Sequence, residues 1–412
     1  MPPPVNPAAR DQEGGASPWR RIVEPLASGA KSPLVEVVGV AGAARGRLAR
    51  ALTAGKRTLL AIAPGEDEAD ELSQDLAFFL AAGARPGVPP VVRIPADPVL
   101  PYDDLSPDRA LEMDRLAALC RLHLHGSGVR AVVVSARALA RRMIPKAALE
   151  AHADLLGKGS TLERDAFAAR LVALGYSRVP LVEDPGTFAI RGGIIDLWSP
   201  VEERPVRLEL FGDEVESARW FEAEGQRTLG LAEEVVLCPA REALFTAEGK
   251  AAARQAVLDA AEKVNQPTSK IREVLDAIDA ATPFFGLEAL LPGFHGGGLS
   301  TIFDYLPKDA VAYVDDVAGV AQALEELEAE LAREHEATVR RDELALPPRR
   351  GSAPPAGARA RRGAPSPRAP GRAPPPAPRA PARRPPRRRR TRWRPSAKPR
   401  RAEFRCDCER SP

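Results

Sequence analysis

Four places in this 412-residue chain set reactive or charged side chains at spacings that chemistry uses. The first is Gly39-Val40-Ala41-Gly42-Ala43-Ala44-Arg45-Gly46, which follows the apolar run Leu34 to Val38 and precedes a helical stretch from Arg47 to Leu52. Strand, glycine loop and helix is the layout in which backbone amides and a helix N-terminus cradle phosphates. A working loop of that kind has glycine where Ala44 stands, lysine where Arg45 stands and a hydroxyl for Mg²⁺ where Gly46 stands. All three requirements fail together, and arginine is no substitute for a point-charge lysine. Gly39, Gly42, Arg45 and Gly46 are therefore expected to turn a strand into a helix without holding a nucleotide, and no cofactor is expected in this chain.

The second place is Phe188-Ala189-Ile190-Arg191-Gly192-Gly193. In a regular strand, alternation puts Arg191 on the face opposite Phe188 and Ile190, and the bare glycines beside it leave its guanidinium open to a bidentate carboxylate partner. An ion pair inside the domain, with Asp196 or Glu209, is the competing reading. The third is Arg137, Arg141 and Arg142, which cluster on one helix; a solvated face meeting its own C-terminal carbonyls is favoured over phosphate contact. The fourth is a set of pairs that lack further ligands. Asp103-Asp104 read as capping acids and His123 with His125 as surface residues, while Cys406-x-Cys408 has no second cysteine pair, so no metal site is expected. Cys120 and Cys238 each lie in an apolar run and are expected as buried free thiols. No catalytic residue emerges.

The elements that must position these groups fall into two patterns. From Gly175 to Pro239, short runs at Phe188 to Ile190, Ile194 to Trp198, Val206 to Phe211 and Val235 to Cys238 are cut by turn pairs such as Pro185-Gly186 and Gly212-Asp213, the signature of an antiparallel β unit. Ser160-x-x-Glu163 ahead of it reads as a capping box, and Gly175 as the left-handed end of the helix that follows. Elsewhere, runs at Leu34 to Val38, Thr58 to Ala63, Val91 to Ile94 and Val129 to Val134 alternate with helical stretches at 66–80, 108–124 and 136–143. That alternation predicts a parallel sheet covered on both faces. After the β unit, Arg241 to Ala261 and Ser269 to Ile278 read as helices, Phe284 to Gly286, Leu299 to Tyr305 and Val311 to Val314 as returning strands, and Val317 to Val339 as a long acidic helix. The predicted class is α/β with an inserted, mainly antiparallel β domain.

Several phrases in fixed order carry a resemblance. Gly175-Tyr176, the run Gly186-Thr187-Phe188-Ala189-Ile190-Arg191-Gly192-Gly193-Ile194-Ile195-Asp196, then Arg207-Leu208-Glu209-Leu210-Phe211-Gly212-Asp213-Glu214 and Gln226-Arg227-Thr228 resemble the amino-terminal, excinuclease-B-like module of the bacterial transcription-repair coupling factors. More loosely they resemble the excinuclease B subunit (UvrB) itself. The likeness reaches back to Leu100-Pro101-Tyr102-Asp103-Asp104-Leu105-Ser106-Pro107. The resemblance implies that the β unit is a docking surface for the excinuclease A subunit (UvrA), with Arg191 as the first contact residue and Arg178 and Phe211 as secondary ones. It further implies a degenerate phosphate loop in the coupling factors where excinuclease B keeps an intact one, and a segment after the β unit that completes the first domain. Full-length members use ATP and Mg²⁺ to translocate on DNA and displace stalled RNA polymerase; no such motor motif precedes residue 347 here. An excinuclease-B-like, ATP-dependent helicase subunit is the alternative from another class.

Expected boundaries are an N-terminal arm at 1–32, the α/β domain at 33–148, the inserted UvrA-binding domain at 149–240, a return segment at 241–346 and a tail at 347–412. The tail holds 21 Lys and Arg against 3 acids, so the near-neutral total of +3 hides two differently charged objects. Its Arg, Pro, Ala and Gly are the residues of GC-rich codons, and the favoured expectation is an out-of-frame translation. A disordered basic tail that binds nucleic acid by counterion release is the alternative. With no signal segment and no run of apolar residues long enough to span a bilayer, the expectation is a cytoplasmic protein with no membrane partner.

Overall fold

In a computed structural model the described residues are Val23 and 35–341, apart from 38, 55–56, 83, 85–87, 103–107, 126–127, 263–267 and 297. The chain divides into two units, Met1–Arg359 and Ala360–Pro412. The expectations for the tail, for Asp103-Asp104 and for Cys406 and Cys408 lie outside the described residues.

The first layer opens with α1 (Ala43–Leu52), β1 (Leu59–Ala63), α2 (Glu66–Leu80), β2 (Val91–Ile94), α3 (Arg109–His125), β3 (Ala131–Ser135), α4 (Ala136–Ala140) and α5 (Lys146–His152). Three acids in the first turn of α2 favour its positive dipole end, and Ala69, Leu72, Leu76 and Leu80 line its buried face. β1 and β3 are buried at every residue, as central strands of a parallel sheet covered on both faces must be. Next come β4 (Asp154–Leu156), α6 (Arg164–Ala173), β5 (Ser177–Arg178), β6 (Thr187–Arg191), β7 (Ile194–Trp198), β8 (Val206–Phe211), β9 (Glu214–Phe221), β10 (Thr228–Leu231) and β11 (Val235–Leu237). The chain then runs through α7 (Ala247–Ala261), α8 (Thr268–Asp279), α9 (Leu291–Phe294), α10 (Ile302–Tyr305), β12 (Val311–Val314) and α11 (Val317–Arg340).

β12 returns to pair with β1, giving a parallel sheet in the order β12-β1-β3-β2. The β unit forms a six-stranded sheet in the order β10-β9-β8-β7-β6-β5, and β4 pairs with β11 apart from both. One apolar cluster runs from Leu60, Val132 and Val134 of the parallel sheet through Phe167 and Leu171 of α6 to Phe188, Ile195, Leu197 and Leu208 of the other sheet. The α/β class with an inserted, mainly antiparallel β unit is what the alternating pattern predicts.

Several local expectations change. The described residues of Leu34 to Val38 form no strand. The Ser160 capping box does not form: Glu163 is the N-cap, its own carboxylate accepting from the amides of Asp165 and Ala166, while Ser160 Oγ accepts from Gly157 N. Gly175, at φ +88°, does end α6 in the left-handed region. The helix expected from Arg241 starts at Ala247 behind the Thr246 cap, and α4 stops at Ala140. Phe284 to Gly286 form no strand, and Leu299 to Tyr305 supply one bridge, Ser300 to Met143, before a Thr301/Asp304 capping box opens α10.

Candidate functional site

Strand register assigns each residue of the six-stranded sheet to a face. Phe188, Leu197 and Val206 share one row with Trp220, and Ile190, Ile195, Leu208 and Ala218 another; both turn toward α6 and the shared core. The opposite face carries the rows Ala189–Asp196–Arg207–Arg219–Leu231 and Arg191–Ile194–Glu209–Ser217. This second face holds a ladder of charges, and Val182 packs over part of it against the buried Ala189 and Phe221.

Asp196 lies at its centre, fully buried, and accepts from Arg207 Nε at 2.6 Å and Arg207 Nη2 at 2.9 Å as well as from Arg191. Arg207 stacks 4.8 Å from the Phe221 ring centroid, and its pKa is raised chiefly by its hydrogen bond to Asp196. Glu209 accepts from Ser217 Oγ at 2.6 Å and stands 4.0 Å from Arg219. Arg191 therefore does pair within the domain, with Asp196. Half of its side chain nonetheless remains exposed at the end of β6. Phe211, 80% exposed, closes β8 beside the same turn, where Leu210 N donates to Gly193 O. Gly192 and Gly212, each at φ +61°, permit the two adjacent tight turns. Arg178 is elsewhere: it sits exposed on edge strand β5 at the register of Phe188, within electrostatic reach of Asp165 on α6. Arg191 and Phe211 come together, and Arg178 does not join them.

The glycine loop is closed by its own chain. Gly42, at φ +51°, precedes α1, and the amides of Ala44 and Arg45 donate back to Ala41 O and Gly42 O. Arg45 bridges Asp75 at 3.0 Å and Asp315 at 2.9 Å, and a Cβ built on Gly46 would stand 2.0 Å from the Phe79 ring. The amides of Ala44 and Arg45 and the Arg45 guanidinium are thus engaged by protein groups, and Phe79 occupies the place of a side chain at position 46. Among the described residues no group of three His, Cys, Asp or Glu side chains could hold a metal ion. None of the described helices is long and apolar enough to cross a membrane.

A buried ionic hub escaped the reading of the sequence. Glu242, directly after the β unit, accepts from Arg115 at 2.9 Å and from Arg141 at 3.2 Å, and its amide donates to Glu112. Burial opposes ionisation of Glu242, but the two arginines override it and hold its pKa at about 2. Glu112 goes the other way, raised by burial and then by the charge of Glu242. Arg109 from the same helix donates to Ser177 Oγ and to the carbonyls of Gly175 and Gly186. The available signal was Arg109, Glu112 and Arg115 at intervals of three on the face that also carries the buried Leu116 and Leu119. Arg137 pairs with Glu330, so this arginine and Arg141 reach other elements instead of their own helix end. Cys120 and Cys238 are free and buried in one cluster; hydrogen bonding between the thiols, then burial, pushes Cys120 far up.

Fold and face together define an α/β body carrying an interaction sheet, and residues 155–242 match the family described as the UvrB interaction domain. Over 341 residues the chain is 45% identical to the transcription-repair-coupling factor of Myxococcus xanthus, covering 81% of this chain and 28% of that protein. It is 32% identical over 212 residues to the Escherichia coli K12 protein of the same description, covering 52% and 18%, and 28% identical over 326 residues to that of Bacillus subtilis 168, covering 76% and 27%. Along most of its length this chain is thus similar to a part of transcription-repair-coupling factors. It spans between 18% and 28% of the length of these relatives.

Proposed function

We propose that the chain acts as the repair-recruiting module of a cytoplasmic transcription-repair coupling factor, docking the excinuclease A subunit on the exposed part of the charged face of the six-stranded sheet, around Arg191 and Phe211. The observation that carries this reading is the coincidence of the UvrB interaction domain match with a sheet whose outer face is a preorganised charge ladder ending in an exposed Phe211. Asp196 holds Arg191 in place, so a partner carboxylate meets an arginine already ordered, which lowers the entropy cost of the contact. Phe211 supplies the apolar anchor beside it. Arg178, on the other side of the sheet, is a secondary contact at most at the rim.

Coupling to RNA polymerase and DNA, with ATP and Mg²⁺, belongs in this proposal to the rest of a full-length factor. The engaged Arg45 and the filled space at Gly46 favour recruitment over an ATP-dependent helicase role for this part. Nucleic-acid binding by residues 347–412 would be separate from docking and salt-dependent.

Titration calorimetry of the full chain against purified UvrA tests the reading. Saturable binding is expected, weakened on the order of 2–5 kcal/mol by Arg191→Ala and by about 2 kcal/mol or more by Phe211→Ala, with the melting temperature unchanged for Phe211→Ala and lowered but still cooperative for Arg191→Ala, where Arg207 remains as the partner of Asp196. Unaltered affinity in both folded variants would move docking to another surface.

A further inference from the structure

The two edges of the six-stranded sheet are built differently. β5 is two residues long, carries Arg178 and is followed by Pro180, so it is blunted by the devices that keep edges from pairing. At the other edge β10, Thr228-Leu229-Gly230-Leu231, contains neither a charge nor a proline, and all four residues are exposed. Leu229 is 51% and Leu231 74% exposed. A bulge interrupts the pairing with β9 between Thr228 and Gly230, leaving Gly230 and Leu231 in register with Trp220 and Arg219.

Charge brackets this apolar edge. Glu222 and Glu224 precede it and Glu233 and Glu234 follow it, all exposed. Arg219 is directed to Glu209, so Arg227 is left as the cation of the immediate flanks. An antiparallel copy of the same edge would set Glu233 and Glu234 of one molecule against the flank of Glu222, Glu224 and Arg227 of the other, a net acidic pairing that disfavours self-association. An extended segment with cationic ends meets attraction at both ends and apolar contact between them.

We propose that β10 is a strand-addition site for an extended, proline-free peptide segment that carries alternating apolar side chains and Lys or Arg at both ends. Backbone hydrogen bonds to the open edge would supply affinity, Leu229 and Leu231 would take the apolar side chains, and the four glutamates would select the charge. The inference is independent of docking through Arg191.

The test uses the full chain and a fluorescein-labelled peptide, Lys-Lys-Val-Thr-Val-Thr-Val-Lys-Lys, read by fluorescence anisotropy. Saturable binding is expected, at least about tenfold weaker for Leu229→Lys/Leu231→Lys, for a peptide N-methylated along one edge, and for one with glutamate in place of its lysines. The N-methylated peptide leaves the protein untouched, so its weakening does not depend on how the variant folds. Equal binding of the glutamate peptide, indifference to the leucine changes, or no saturation would overturn the proposal. So would a dimer in sedimentation that Leu229→Lys/Leu231→Lys dissolves, because a second copy would then be the occupant.

Discussion

Asp196 is the residue on which the charged face of the six-stranded sheet depends. A carboxylate with no exposed surface is stable only when its charge is matched, and two arginines from neighbouring strands do this, one of them clamped against Phe221. Both cations retain contact with water, so the loss of their partner is milder than for a fully buried pair. Asp196→Ala is expected to cost roughly 1–3 kcal/mol in urea denaturation. It should also weaken UvrA binding, by no more than Arg191→Ala does, because Arg191 loses its fixed direction. Unchanged binding by a folded Asp196→Ala variant would show that the orientation of Arg191 is irrelevant to docking. The position of Arg191 was legible from the two-residue period of its strand, and Asp196 was one of two partners that the sequence offered. Arg207 and Arg219 were not legible as members of the face, since their place depends on register between strands.

At the scale of elements, α1 shows how a motif can keep its outline and lose its chemistry. Glycines still make the turn, but Phe79 of α2 packs where a side chain at position 46 would stand, and Arg45 ties α1 to α2 and to the segment after β12. Restoring the consensus with Ala44→Gly/Arg45→Lys/Gly46→Ser is therefore expected to give no Mg-ATP heat in calorimetry and to destabilise the fold by about 1–3 kcal/mol through overpacking. Saturable ATP binding by the triple variant would show that three side chains alone separate this loop from a working one. The departure from a phosphate-binding consensus was legible in three residue types. The absence of a strand at the described residues of Leu34 to Val38 was not, because a short apolar run reads alike as an edge, a core strand or a packed coil.

At the scale of the whole body, the ionic hub joins α3, the end of the β unit and Arg141, and Arg109 extends it to the turns at Gly175 and Gly186. Glu112 has a folded-state pKa above its ordinary value. Between those two values the folded state holds more protons than the unfolded one, so this group's contribution to stability falls as pH rises. Glu112→Gln keeps an acceptor for the Glu242 amide and removes that slope. Its melting temperature relative to the parent chain is expected to climb as pH rises above the ordinary carboxylate range, about pH 4, and to level off once Glu112 is ionised in the folded parent. A difference that stays constant across this range would mean that Glu112 ionises as it does in the unfolded chain.

The sequence by itself determined the α/β class, the β unit and its turns, the departure of the glycine loop from a phosphate-binding consensus and the end of α6 at Gly175. Each of these rests on local periodicity, on residue types that a turn requires, or on side chains whose chemistry is absolute. Tertiary structure alone decided that Arg191 leans on Asp196, that Arg178 lies on the other side of the sheet, that Phe79 fills the space at Gly46, and that Arg115 and Arg141 meet at Glu242. Those outcomes follow from strand register and from contacts between residues far apart in the chain, and pairings of that kind leave no period in the sequence for a reader to detect.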